Sequence, residues 1–169
     1  MPLPSRDKTF ALESCRDLLN KLEREIERFR AASNNNDVAS MADIAFNASV
    51  TAWHLCDWVY GDMTPEQRTG LNVLKLSDLW NIALANRALH LCRQIATASK
   101  HWEVTQHPDV TVGTAVSASP EWRIHFIDRD KWIDALDVFE EAFDFWTRFI
   151  YPNNIRARID DDDDEEEDR

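Results

Sequence analysis

The sequence predicts a mainly α fold: four principal helices in an up-and-down bundle, with a short extra helix and a β-hairpin inserted before the last helix. Three observations predict it. Apolar residues recur at spacings of three and four in four long segments, only three glycines interrupt 169 residues, and the period changes to two in a single region, residues 110–126. A chain of this length fits one domain and can bury a core without disulfides or metal. Residues 1–152 are therefore expected to form the helical body, and 153–169 a disordered acidic tail.

The first helix is expected over residues 8–30, where Leu12, Cys15, Leu19, Leu22, Ile26 and Phe29 share one face and Glu and Arg fill the others. SNNND then breaks it, because Asn and Asp side chains supply turn and N-cap oxygens. A second helix follows over 37–60. It carries Ala42, Ala45, Ala48, Ser49 and Ala52 at helical spacing, small residues that admit a close neighbour, and Gly61 is the expected C-cap. Thr64-Pro65-x-Gln67 has the form of a capping box with Pro in the first turn, so a short connecting helix is expected there.

The third long helix is expected from Ser77 or Asp78 to Lys100. From Asn86 onward, at about 100° per residue, Asn86, Arg87, His90, Arg93, Gln94, Thr97, Lys100 and His101 fall within an arc of roughly 140°, the expected water-facing side. Val110, Val112 and Val116, then Trp122, Ile124 and Phe126, alternate with other residues in the manner of strands, and SASPE between them supplies a turn. The last helix is expected over 129–150, with Trp132, Leu136, Phe139, Phe143, Trp146 and Ile150 inward and Pro152 ending it.

Charge narrows the function classes. Of the net charge of −12, the last ten residues, with nine acids and one Arg, account for eight, leaving a mildly acidic body. Neither part resembles a surface built to neutralise phosphates. Cys15, Cys56 and Cys92 form no CxxC pair and number three, as expected of buried thiols in a reducing compartment. With no signal-like N-terminus and no run of about 20 apolar residues, a soluble cytoplasmic protein without membrane association is expected. Three glycines leave no phosphate-cradling loop, nucleophile elbow or Walker sequence.

Three constellations remain. Arg93, Lys100 and His101 are catalytic candidates: a His acting as general acid/base beside an Arg that stabilises a pentacovalent phosphate would cleave RNA without metal. His54 and Asp57, three apart on one helical flank, could bind a divalent metal with His101. Trp53, Trp58 and Trp102, with His54 and Asp57, could line a binding pocket. Each has a plain structural alternative: a solvated arc, cations favouring a helix C-terminus, a His hydrogen-bonded to a carboxylate, or core aromatics. No cofactor is expected beyond that candidate metal.

AFNASVTAWHLCDWVYG, LCRQIATASKHWEV and DALDVFEEAFDFWTRF together resemble small bacterial and phage-associated helical proteins over residues 40–150, and the helix pair ending in Arg and Lys-His is similar to HEPN-type bundles. The resemblance implies a dimeric bundle and, in the ribonuclease members, an Arg followed by four to six residues and a His. Here seven residues, QIATASK, separate Arg93 from His101. That departure implies a HEPN-like interaction module. The expected function is accordingly a non-catalytic module of bacterial or phage origin, homodimeric and with a protein partner. The alternatives are a metal-independent ribonuclease at Arg93 and His101, for which RNA would be the partner, and a metal-binding hydrolase or sensor at His54, Asp57 and His101.

Overall fold

Six helices and one antiparallel sheet make up the computed structural model, which describes residues 10, 12–98, 108–118 and 120–156. In chain order they are α1 (Cys15–Asn34), α2 (Val38–Asp62), α3 (Pro65–Gly70), α4 (Leu76–Leu84), α5 (Arg87–Ala98), β1 (Val112–Ser117), β2 (Arg123–Asp128), β3 (Lys131–Asp134) and α6 (Ala135–Ile150). The fold is mainly helical as expected. It divides more finely than the four-helix reading, for reasons that lie in individual residues.

A capping box sets the start of α1. Ser14 Oγ accepts from Asp17 N and Asp17 Oδ2 accepts from Ser14 N, so the helix begins at Cys15 and not at residue 8. Asn36 then takes a positive φ, and Asp37 caps α2 by accepting from Ser40 N. The expected C-cap, Gly61, lies inside the last turn of α2 with no positive φ; the helix ends at Met63, whose backbone is extended and whose side chain is buried. Pro65 favours an extended Thr64 before it, and the Thr64–Gln67 capping box starts α3 as the sequence predicts.

The helix expected over 77–100 is two helices. Asn86 breaks it by turning its side-chain oxygen onto Leu89 N at 3.1 Å, which starts α5. An Asn that competes for backbone donors favours such a start over a helix interior. A second correction falls after the hairpin. Arg129 and Asp130 both take positive φ, at 47° and 67°, in a two-residue turn that folds residues 131–134 back on β2 as a third strand. Residues 129–134 are therefore outside α6, and Trp132 is an exposed strand residue, not part of the inward face of the last helix. Asp134 caps α6 by accepting from Leu136 N.

The strand order is β1-β2-β3, with Thr114 opposite Phe126 and Phe126 opposite Ile133. Ile124 and Phe126 turn their side chains into the core, where Phe139 meets Phe126 and Phe29 edge-on at 5.8 and 5.7 Å. One ring thus joins α1, α6 and the sheet. The small-residue strip of α2 is buried at Ala45, Ala48, Ser49 and Ala52, and α1, α5 and α6 pack around it. Trp146 fills the approach this permits and donates Nε1–H to the Ala52 carbonyl at 2.9 Å. After α6, Asn153–Arg156, assigned to the tail by sequence, close on the body: Ile155 is buried, and the Asn153 and Asn154 carbonyls accept from Gln67. The acidic run 160–169 lies outside the described residues. No described helix is long and apolar enough to cross a membrane.

Candidate functional site

The polar arc of α5 was expected to face water as a unit, and the structure divides it. At its start, Arg87 forms a two-pronged pair with Asp128, through Nε to Oδ2 at 2.7 Å and Nη2 to Oδ1, and its Nη1 lies 3.5 Å from Asp109 Oδ2. One turn on, His90 Nε2 sits 2.8 Å from Asp109 Oδ2. Next, the buried Gln94 accepts from Asp109 N at 3.2 Å. This network fastens the helix to the segment entering β1 and to the end of β2.

Its electrostatics are those of a joint. Hydrogen bonds from the Thr111 hydroxyl, His90 and the Thr111 N–H hold the Asp109 carboxyl well below the usual carboxylate range. Arg87 likewise lowers Asp128, and Asp128 raises Arg87. Two carboxylates already neutralise the one guanidinium, so this end of α5 offers no charge to a phosphate. Asp109 and Asp128 are not legible as partners, since His90 and Asp109 stand 19 positions apart in the chain and Arg87 and Asp128 41.

Arg93, further along, has a different surrounding. Its guanidinium lies over the Trp53 ring at 5.7 Å, and Trp53 in turn meets Trp80 of α4 with centroids 6.3 Å apart. Two candidates that the sequence placed in separate constellations, Arg93 and Trp53, are thereby joined, with Trp80 as the unforeseen third member. Lys100, His101 and Trp102 lie outside the described residues. His54 and Trp58 are half-buried on α2 and Asp57 is exposed. Among the described residues, no three His, Cys, Asp or Glu side chains are grouped to hold a metal ion.

Two concave regions stand near these elements. A cleft of about 430 Å³ lies between α2, α5 and the β1–β2 pair, with Ala45, Phe46, Ile95, Val116, Ile124 and Phe126 among its lining residues. A second, of about 510 Å³, runs along α6 and carries Asp137, Glu140, Glu141 and Asp144 beside Phe145 and Phe149. The first is apolar and the second acidic. Burial raises the thiols of Cys15 and Cys56, and pushes that of Cys92 up to about 12, which leaves all three protonated and poor nucleophiles.

Tryptophan placement is the most distinctive surface feature. Of the described tryptophans only Trp146 is buried, whereas Trp80, Trp122 and Trp132 retain 38, 39 and 56% of their surface. Trp132 also packs against His125, whose Nε2 is 2.8 Å from Ser117 Oγ. Comparison with known families, curated proteins and solved structures finds nothing that this chain matches.

Proposed function

We propose that this chain is a non-catalytic helical interaction module that associates with itself and with a protein partner. The observation that carries the reading is the exposure of Trp80, Trp122 and Trp132. Tryptophan and arginine dominate the energetics of protein interfaces because a large rigid ring gains much from desolvation at little entropic cost. Trp80, Trp53 and Arg93 supply such a group on one surface. The acidic groove of α6 and the acidic residues 160–169 favour a basic partner. The resemblance to HEPN-like bundles, many of them dimeric, points to the same kind of protein.

The ribonuclease reading would need the Arg93 guanidinium at a phosphate. Its packing over Trp53 supports an interface instead. The experiment combines sedimentation equilibrium over a concentration series with incubation of a mixed RNA pool, with and without EDTA. The expected result is a species of twice the 19.6 kDa chain mass and intact RNA. RNA cleavage that survives EDTA and disappears in Arg93→Ala would replace this reading with the enzymatic one.

A further inference from the structure

The two edges of the sheet are built differently. β3 has four residues, begins at Lys131, ends at Asp134 and runs directly into α6. Short, charged edge strands of this kind discourage pairing with another chain. β1 has six residues, Val112–Ser117, with neither a charge nor a proline among them. Among the described residues, no strand lies along its outer side.

The direction of the free backbone groups on β1 follows from the ladder. Antiparallel pairing alternates residues that bond to the partner strand with residues whose N–H and C=O point away. Val112 N–H turns back to the Asp109 carbonyl, while Arg129 N–H donates to the Thr111 carbonyl. Thr114 and Val116, in phase with Val112, therefore direct their backbone groups off the sheet. Neither makes a backbone hydrogen bond to any described residue outside it. Part of this edge is apolar and exposed as well: Val116 is half exposed and lines the apolar cleft with Phe46, itself 46% exposed.

We infer that β1 pairs antiparallel with β1 of a second copy of this chain across a two-fold axis at Ala115. This rests on the self-association proposed above and specifies its surface. In that register Thr114 of each copy faces Val116 of the other, which forms about four backbone hydrogen bonds and joins the two three-stranded sheets into one. Thr and Val are both β-branched and suit a paired strand. A second copy is the fitting occupant because the strand is uncharged throughout, so that no like charges meet when the same strand faces itself across the two-fold. The apolar clefts of the two copies would adjoin, covering Val116 and Phe46.

Three variants test it in the full chain. Thr114→Pro removes an outward N–H while sparing the bonds to β2, a place where a strand tolerates proline. Val116→Lys places a charge on the edge. Each is expected to raise the dimer dissociation constant by about a hundredfold or more, with an unchanged circular dichroism spectrum. Ala115→Cys is expected to cross-link the dimer under mild oxidation, since facing residues at the axis would have Cα atoms about 4.5 Å apart, within disulfide reach; the native cysteines are buried. A dimer that resists both edge variants and forms no Ala115→Cys cross-link would overturn the β1 interface while leaving the interaction module standing. A wild type that stays monomeric at all concentrations would remove self-association altogether.

Discussion

His90 Nε2 and Asp109 Oδ2 lie 2.8 Å apart, and this contact ties the middle of the fold to the sheet. The same carboxylate accepts from the Thr111 backbone and hydroxyl and faces Arg87. Its folded pKa is lowered, so the stabilisation it gives is complete above the unfolded carboxylate value, near about 4, and is lost as pH falls through the folded one. Melting temperature measured from neutral pH downward should decline steeply below about pH 4. Asp109→Asn should be less stable at neutral pH and show a shallower decline. Identical acid profiles for the two proteins would refute this role.

The Arg129–Asp130 turn holds two side-chain-bearing residues at positive φ. Only Gly, Asn and Asp accept that region readily, which is why Asn-Gly dominates two-residue hairpin turns. Replacing Arg129→Asn together with Asp130→Gly should raise the unfolding free energy by about 1 kcal/mol. Urea titration reads this directly. A loss of stability would mean that the native side chains contribute more than the strain they carry.

Trp146 is fully buried and donates to the Ala52 carbonyl. Trp146→Ala should cost about 3–5 kcal/mol by opening a cavity among α1, α2 and α6. Trp146→Phe keeps most of the apolar contact and loses the donor, so a smaller cost of about 1–3 kcal/mol is expected. Equal urea midpoints for the two variants would show that the ring packing is irrelevant.

All three thiols are buried, and their pKa values are raised by loss of hydration. A thiol reagent at pH 8 should label none of them in the folded protein and all three in denaturant. Prompt labelling of Cys92 without denaturant would show that α5 opens readily from the body.

The sequence disclosed what local chemistry decides. Helical spacing located α1, α2 and α6, the Thr64–Gln67 box located α3, and alternation located β1 and β2. Missed features were set by competition or by distance. Asn86 sits in a segment whose apolar spacing continues on both sides, so the cap at Leu89 N is visible only once the chain turns. β3 hides because Arg-Asp is a poor signature for a two-residue turn, and WIDAL reads equally well as a helix start. Of the candidate site, Arg93 and Trp53 were named for separate reasons, and their contact needs two helices to pack. Trp80 joins them only through that packing. Asp109 and Asp128 carry no local mark of their roles on α5.

The Trp146–Ala52 contact also orders events in time. α6 follows every other described element in the chain, yet its indole occupies the side of α2 where the small residues lie. During synthesis, α1 and α2 can pair as a neighbouring hairpin long before α6 exists. That pair waits with part of its seam bare, because α5 covers one side of the strip and the other side stays open until α6 is made. A chain halted after the sheet would therefore expose Ala52 and its neighbours to any chaperone or aggregate that met it first.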